Sequence, residues 1–562
     1  MFTLCLASML FAVKSKDNCH SIVESTYRWI LLSTNLQQPE NTDKALKAVD
    51  AAASAGYNGV VFQDSSLNSL RTMTPAYHSA LISVMGETKK QNLEFIPLLS
   101  LSGGTQDILG HDRSLAESMP YKGVRFLVTN GQLKPSDPPI VIPNGGLDAF
   151  TGELPTSFKG SHSSDIALFN DTAVHHGGAS SFRLEGQPSS QAGKGGLTLE
   201  QAVPLRPWHQ YRVTLWTKGT DAAGSVVTIN LRSPSGQLLG TGLWQNTPDW
   251  SRNDVVFDSM ADAPTTISIV VQPIPGAKIW LDDLTIQDVG TLNITQREDC
   301  PVVVTGDDGA IYNEGIDVTP FVDGFHPAGA SPSTFDVIHD APLSSVLSNS
   351  RLHEGQTVLV DFYAASIVNG APSLCVNAAK SKAHMKANIR RVFALMHPHF
   401  VFLSAEDGRS LGWDPACEGA SVNSGDMLAS LIRSNSEFVK SLDKSIRIVT
   451  FNGMFDPFQN SKDEFLMMRG GVSGSAKGLP KGTIIANCNF SNATDSLTFF
   501  SQQGFNQILW GFYDNANGAI PIAQWKNSAI GVKGIQGYGY VTLTDDYSHV
   551  VDFAKAASGS FP

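Results

Sequence analysis

The chain has 562 residues. A single hydrophobic core rarely extends over such a length, so we expect two or three domains. Hydrophobic residues make up 42% and charged residues 16%, which is typical of a globular protein and excludes a disordered chain. The net charge of −12 is spread thinly and no run of basic residues occurs, so we expect no nucleic-acid partner. No apolar run is long enough to span a bilayer.

The N-terminal residues 1–26 are predicted to form a separate segment. Its apolar stretch, residues 2–13, has the length of a signal-peptide core, but no Lys or Arg precedes it and no A-x-A site follows. A signal and a buried first segment both stay open, and we expect an extracytoplasmic protein, secreted or periplasmic. None of the six cysteines forms a C-x-x-C pair, so no zinc site is predicted.

Next along the chain, strands alternate with helices, which implies parallel pairing. The predicted strands are 27–34, 58–64 and 93–100, and the predicted helices are 43–56 and 75–92.

After a long interruption the alternation resumes. The predicted strands are 357–366, 399–404, 445–452, 482–490 and 505–514, and the predicted helices are 378–397, 424–442, 461–469, 494–503 and 546–557. Three and five strands predict an α/β fold, a (β/α)₈ TIM barrel divided between residues 27–143 and 357–562. A doubly wound sheet of eight strands is the alternative, although no G-x-G-x-x-G follows the first strand.

Residues 144–290 differ in composition from the rest of the chain, since they are rich in Gly, Ser and Thr. Their short strand patterns predict an inserted β-sandwich. Trp216 and Trp280 lie inside strand patterns and are predicted to be core. Trp208, Trp244 and Trp250 lie nearer loops and are candidate platforms for a sugar ring.

The ends of this insertion, NGGLDAFTG and KIWLDDLTIQDVG, resemble those of carbohydrate-binding modules of the family 4/9 jelly-roll type. The resemblance implies a sandwich that holds polysaccharide, and a purely structural module stays open. Residues 291–356 include a predicted hairpin around Asp308-Gly309, which we expect to join 123–130 in a small β-appendage and linker.

Polar and aromatic residues follow or end the predicted barrel strands, where the active site of such a barrel lies. Paired carboxylic acids, amides and aromatic rings are the equipment of a glycosidase. Metal-ligand spacing, a G-x-S-x-G elbow and a P-loop are all missing, so no metal or cofactor is predicted. The predicted substrate-binding residues are His111, Asp112, Tyr363, Arg409, Trp413, Asn452, Trp510, Tyr513 and Asp514.

The acidic pair Glu406-Asp407 directly follows an apolar run. If strand geometry continues, only one of the two faces the barrel mouth, whereas beyond the strand end both can turn inward. One of them is predicted to be the general acid and Asp456 its partner or a substrate orienter. An ordinary acidic loop is the alternative.

Four stretches resemble a group of bacterial barrel proteins related to the glycoside hydrolase superfamily and distantly like family 20 hexosaminidases. SAEDGRSLGWD is similar to the group's S-H-D-E-I-R-x-x-x-W-D after strand 5, and FNGMFDPFQN to W-S-D-M-F-D-P-x-H-N. GHDRSLAESMP and ILWGFYDN are similar to S-H-D-P-N-L-A-E-G-x-P and G-Y-Y-D.

This chain departs from the pattern at several positions. Ala405 and Gln459 replace His, Gly453 replaces Asp, and the acidic order is reversed. The resemblance implies a glycoside hydrolase that acts on a poly- or oligosaccharide, and the departures favour the alternative, a non-catalytic or weakly active glycan-binding protein. A lyase or isomerase is disfavoured because metal ligands and a Schiff-base lysine are missing from the strand ends. The pattern does not predict an oligomeric state.

Overall fold

The structure is a computed structural model that describes residues 27–187, 196–221, 224–261, 264–325, 334–417, 423–512, 519–542 and 545–557. The predictions for residues 1–26, Tyr513 and Asp514 lie outside these residues. Two compact units are present, each built from several stretches of chain. The first lies within residues 1–115, 373–412 and 416–562, and the second within 116–372 and 413–415.

Eight parallel strands close a barrel in the first unit. Neighbours in the barrel follow chain order, and the first strand pairs with the last, where Trp29 lies opposite Gly539. The strands are Tyr27–Ser33, Gly59–Gln63, Glu94–Ser100, Phe400–Ser404, Arg447–Phe451, Ile484–Asn487, Asn506–Phe512 and Ile535–Val541, named here barrel strands 1 to 8. Most are almost continuous apolar runs, because both faces of a barrel strand are buried.

Large aromatic side chains fill the barrel interior. Phe402, Phe451 and Trp510 lie within 4.4–6.4 Å of one another by ring centroid. Their size requires glycine on the neighbouring strand: an ideal Cβ at Gly539 would lie 2.4 Å from Cδ2 of Trp510. Burying each such ring removes a large apolar surface from water and contributes about 2–3 kcal/mol.

Helices of the first unit occur between most barrel strands. The one that begins at Pro75 is typical, since Thr74 caps it by accepting the Tyr77 N–H, and Lys89 and Lys90 lie in its last turn. The α-helices are Glu40–Ser54, Pro75–Lys90, Gln106–His111, Ala379–Met396, Ser424–Leu442, Ala493–Gln502, Ala519–Ser528 and Val550–Ala557. No helix of the described residues is long and apolar enough to cross a membrane.

The assignment of residues 357–366 to the barrel is wrong. Thr357–Ala365 pairs antiparallel with Ser118–Thr129 in another sheet, because Val358, Val360 and Phe362 alternate with more exposed residues and bury only one face. Phe400–Ser404 is therefore barrel strand 4, not strand 5. Barrel strand 8, Ile535–Val541, was not predicted from its glycine-rich sequence.

The predicted fold class, α/β with a (β/α)₈ TIM barrel and an inserted sandwich, is wrong as stated. Between barrel strands 5 and 6 the described chain forms short 3-10 turns and the two-residue strand Met467–Met468, where a helix at 461–469 was predicted. Met467 pairs with Ser410 in a short parallel ladder, so the backbone around Met467 is extended and not helical. Antiparallel sheets of five, five and six strands hold more strands than the barrel does, so the class is mixed.

Two five-stranded antiparallel sheets form a sandwich in the second unit. Its strands bury every other residue: Val227, Ile229 and Leu231 are inaccessible while their neighbours are not. Sheet A has the order Ser251–Asp258, Gln210–Thr220, Lys278–Asp288, Ser181–Gly186 and Ile166–Asp171. Sheet B has the order Leu238–Gln245, Val226–Arg232, Thr265–Gln272, Leu197–Val203 and Lys159–His162.

A six-stranded sheet completes the second unit. The strands on either side of Asp308-Gly309 pair antiparallel within it, as the predicted hairpin requires. Its order is Ile311–Tyr312, Val303–Gly306, Thr357–Ala365, Ser118–Thr129, Gln132–Pro135 and Ser344–Ser345. Two-residue strands pair as Phe150–Thr151 with Leu154–Pro155 and Ile367–Val368 with Ala371–Pro372.

Candidate functional site

The carboxyl ends of all eight barrel strands lie at one rim, since the strands are parallel. Side chains two residues apart face the same side of a strand, so the inward apolar residues are each followed by one further inward position. Four of these positions form a polar layer above the aromatic core: Ser33, Gln63, Ser100 and Ser404 follow Leu31, Val61, Leu98 and Phe402. The barrel interior therefore changes from apolar to polar at this rim.

Glu406 lies in the loop after barrel strand 4 and is partly buried. Its carboxylate Oε1 accepts the Met454 N–H at 3.1 Å. It also occupies the space where a side chain of residue 453 would begin, because an ideal Cβ at Gly453 would lie 2.5 Å from Oε2 and 2.7 Å from Oε1. The glycine is required for the position of this carboxyl group.

Burial raises the pKa of Glu406 to about 8, and the neighbouring Asp407 charge adds to the increase. The Met454 N–H favours the ionised form but does not outweigh these effects. At neutral pH this side chain is therefore mainly a neutral carboxylic acid that can donate a proton.

Asp407 adopts a left-handed backbone conformation, with φ of 60°. Aspartate tolerates this region better than most residues, although not as well as glycine. The backbone is fixed from the opposite side, because an ideal Cβ at Gly103 would lie 2.1 Å from the Asp407 carbonyl carbon. Burial raises the pKa of Asp407, and the nearby Arg409 charge opposes this.

The loop after barrel strand 3 pairs with the loop that carries the acids. Leu101 N–H donates to the Ser404 carbonyl at 2.8 Å, and Ser102 Oγ donates to the Ala405 carbonyl at 3.0 Å. Arg409 is held from its backbone, since its N–H donates to Ser373 Oγ at 2.9 Å. These contacts fix the acidic loop without using either carboxylate.

Asp456 is fully buried and is held by hydrogen bonds. Its Oδ2 accepts from Asn452 Nδ2 at 2.7 Å, Asn489 Nδ2 at 3.1 Å and Ser496 Oγ at 2.5 Å. Oδ1 accepts the Phe458 N–H at 2.9 Å. The carboxylate joins the loops after barrel strands 5 and 6, and this arrangement favours a positioning role for Asp456 and Asn452.

His111, Asp112 and Trp510 take other places in the first unit. His111 Nε2 lies 2.7 Å from Thr72 Oγ1 at the end of a short helix, and Asp112 pairs with Lys380. Trp510 is only 1% exposed and packs inside the barrel. It is thus a core residue, although a sugar-binding surface was predicted for it.

Tyr363 and Trp413 belong to the second unit. Tyr363 lies in the six-stranded sheet, opposite Pro120, and not at a barrel strand end. The Trp413 N–H donates to Glu117 Oε1 at 2.9 Å, and its ring lies 6.0 Å from the ring of Trp208. The rim of the barrel thus brings together Glu406, Asp407, Arg409, Asn452 and Asp456 from the predicted set.

The sandwich tryptophans fall into two groups. Trp280 is 5% exposed and donates through Nε1 to Asp171 at 2.9 Å, so it is a core residue as predicted. Trp216 is only partly buried, because it lies on the outward face of sheet A and stacks on His176 at 3.7 Å, so its assignment to the core is wrong. Trp250 meets the same imidazole edge-on at 5.7 Å. Trp244 lies within a strand and not a loop.

One group of potential metal ligands was not predicted. Donor atoms of Asp137, His209 and Asp288 lie within 4.8 Å of one another in the second unit. Asp288 Oδ2 lies 2.5 Å from His209 Nδ1, and Asp137 pairs with Arg206. Because the side chains already satisfy one another, a cation would have to displace these bonds.

The sequence reasoning missed Gly103 and the polar layer of the rim, and it identified Gly453 only as a departure from the family pattern. The polar layer could have been found by extending the two-residue period of each strand by one step. The two glycines gave no local signal, since each is required by an atom far away in sequence.

No protein-family model matches the chain, and no curated protein matches it. Among solved structures, TmCBM61 in complex with β-1,4-galactotriose is 18% identical, covering 26% of this chain and 98% of that one, with a TM-score of 0.23. A structure described as CBM4 is 13% identical over 26% of this chain and 99% of its own, with a TM-score of 0.21. The CBM22-1 xylan-binding domain from Paenibacillus barcinonensis is 13% identical over 23% and 85%, with a TM-score of 0.18.

Proposed function

We propose that the protein is a glycoside hydrolase in which Glu406 is the general acid. One observation carries the proposal: at the carboxyl rim of a parallel barrel, burial keeps the Glu406 carboxyl group mainly protonated at neutral pH. Glycoside cleavage requires such a group, because the leaving oxygen must receive a proton as the bond to the anomeric carbon breaks.

Asp407 is the second acid of the proposed site. Asp407 is adjacent to Glu406 in the chain, and its charge raises the pKa of Glu406. When ionised, Asp407 would stabilise the positive charge that develops on the sugar ring, or activate the attacking water or group. Asp456 would position Asn452 and Asn489 beneath the site through hydrogen bonds and would not contact the sugar.

The class of substrate comes from the sequence. SAEDGRSLGWD and FNGMFDPFQN resemble segments of a glycosidase-related group, and the sandwich ends resemble those of carbohydrate-binding modules. The polar layer of the rim supplies hydroxyl and amide groups of the kind that bind sugar hydroxyls. We therefore propose a poly- or oligosaccharide substrate.

The test is release of reducing ends from a panel of glycans by the full chain. Glu406→Gln keeps the size and hydrogen bonding of the side chain but removes the proton, and we expect a loss of activity of about 10²–10⁴-fold. Glu437→Gln, on an exposed glutamate of the helix Ser424–Leu442, is the matched control and should retain full activity. Full activity in Glu406→Gln would exclude Glu406 as the acid.

A second candidate is glycan binding without turnover. Two features favour it: Asp456 has both oxygens engaged in hydrogen bonds, and residue 453 has no side chain to act as a further acid. Saturable binding on a glycan array, with no reducing ends released at any pH between 4 and 9, would support this candidate over the hydrolase.

A further inference from the structure

A cavity of about 600 Å³ lies in the second unit, on the outward face of sheet A. In that sheet Tyr211 and Val213 point into the sandwich core, so Arg212 and Arg252 belong to the opposite face. The segments around Phe325 and His339 form the other walls of the cavity. Its volume is in the range of small-molecule sites, about 300–1,000 Å³.

Arg212 is a buried cation that faces this cavity. The residue is 4% exposed, and its Nη2 donates to the carbonyls of Val337 and His339. Its Nε has no hydrogen-bond partner among the described residues, and no described carboxylate lies within ion-pair distance of its guanidinium. Burial lowers the pKa of Arg212, and the charges of Asp254, Asp340 and Asp336 act in the opposite direction.

A buried guanidinium that lines a cavity and forms no ion pair among the described residues favours an anionic ligand there. Arg252 supplies a second guanidinium at the same cavity and uses its Nε for Asp254, at 3.0 Å. A planar guanidinium has five donors, so its terminal nitrogens can form parallel bonds to a carboxylate.

The opposite wall offers a flat apolar surface. The Phe325 ring is stacked on His339 at 4.1 Å with an angle of 18° between the planes, and the Phe325 side chain stays 44% exposed. His339 is fixed by Asp323 and Asp336, each at 3.2 Å. A ring held in this way can pack against the C–H face of a pyranose.

We infer that this cavity binds a sugar that carries a carboxylate, such as a uronic acid. The carboxylate would lie at Arg212 and Arg252, and the sugar ring on Phe325. The Asp323 carboxylate repels a bound carboxylate only weakly, because it already accepts the Asn293 and Phe325 N–H groups and faces His339. Exposed Asp340 at the edge of the cavity weakens binding of the anion.

The experiment is a calorimetric titration of the full chain. The separate probes are glucuronic acid, glucose, acetate and benzoate. We expect saturable binding of glucuronic acid that weakens with added salt. Glucose lacks the carboxylate and acetate lacks the ring, so each should bind about tenfold more weakly or worse. Equal binding of glucose or acetate, or tighter binding of benzoate, overturns the inference.

Variants test the two walls separately. Phe325→Ala should weaken glucuronic acid binding by about three- to tenfold, and Arg252→Gln by about tenfold. Asp340→Asn should strengthen it by about two- to threefold, because a rim carboxylate is removed. Arg212 is left intact, since it holds two carbonyls of the cavity wall.

Arg232→Gln is the matched control for Arg252→Gln, because Arg232 is an exposed arginine on sheet B that donates to the Gly236 carbonyl. It should leave binding unchanged. Unchanged binding in both Phe325→Ala and Arg252→Gln, or no saturable binding of glucuronic acid to the wild type, overturns the inference. No turnover is measured, so the result does not depend on the proposed glycosidase activity.

Discussion

The barrel and the sandwich differ in how many faces of each β-strand are buried. Barrel strand 4 reads FVFLS and is almost entirely buried, whereas Val226–Arg232 in sheet B buries only alternate residues. A barrel strand therefore has room for polar chemistry only near its end, but a sandwich strand carries polar side chains along its whole outer face. Polar side chains that can bind a ligand therefore lie at the rim in the barrel and on an outer sheet face in the sandwich.

The two regions also treat a buried charge differently. The carboxyl group of Glu406 escapes the cost of burial by keeping its proton, which raises its pKa. The Arg212 guanidinium does not lose its proton at any ordinary pH, so it keeps its charge and an unused donor. The same desolvation produces a proton donor in the barrel and a candidate anion site in the sandwich.

The largest expected effect contrasts aromatic residues of the two regions. Trp510→Ala should lower the free energy of unfolding by about 3–5 kcal/mol, because the ring is 1% exposed and its removal leaves a cavity in the barrel. Trp216→Ala should cost only about 0.5–1.5 kcal/mol, since it removes a partly exposed stack on His176. Urea unfolding checks both, and equal losses would contradict the contrast.

Gly453→Ala should have an intermediate effect. The new methyl group would overlap the Glu406 carboxyl group, whose Oε2 lies 2.5 Å from the ideal Cβ position. Because this group is the end of a flexible side chain that can move away, we expect destabilisation of only about 0.5–1.5 kcal/mol, mainly from the lost Met454 hydrogen bond. Displacement of the carboxyl should also lower the pKa of Glu406, which carbon-13 NMR of labelled glutamate can measure.

The control is Gly86→Ala, in the helix Pro75–Lys90. An ideal Cβ at Gly86 meets nothing within 4 Å, and alanine is the better helix former, so this variant should be stabilised by about 0.5–1 kcal/mol. A harmless Gly453→Ala with an unchanged pKa of Glu406 would show that the glycine does not position the acid.

The last expected effect is a pH dependence. The pKa of Glu406 is raised from 4.5 to about 8 on folding, so the folded state binds the proton more tightly than the unfolded state. Its contribution to stability is full below about pH 4.5 and is lost as the pH rises towards 8. Glu406→Gln does not titrate and should remove this part of the dependence.

Urea unfolding of wild type and Glu406→Gln at pH 5 and pH 8 measures the effect. The stability of wild type relative to the variant should fall between the two pH values by more than about 1.4 kcal/mol, the equivalent of one pKa unit. A constant difference would mean that Glu406 is not buried as an acid. Glu437→Gln should show that constant difference.

The sequence pattern predicted seven of the eight barrel strands. It also assigned one segment to the barrel wrongly and missed one barrel strand. Residues 357–366 were placed in the barrel although Asp361 interrupts the apolar run, and that alternation is the signature of a sheet with one exposed face. Barrel strand 8 escaped prediction because Gly537 and Gly539 lower strand propensity. Both are required by tertiary contacts, since a Cβ at Gly537 would lie 1.8 Å from the Tyr27 carbonyl oxygen.

From the sequence alone follow seven of the barrel strands and most of their helices, the acidic pair after an apolar strand, and the strand-rich character of residues 144–290. These features depend on side-chain periodicity within a few residues. Folding of the chain places Glu406 against Gly453 and Arg212 at a cavity, and it surrounds Asp456 with hydrogen-bond donors from Asn452, Asn489 and Ser496. Most of these contacts join residues more than thirty positions apart, and burial, which sets the pKa of Glu406, exists only once those residues have come together.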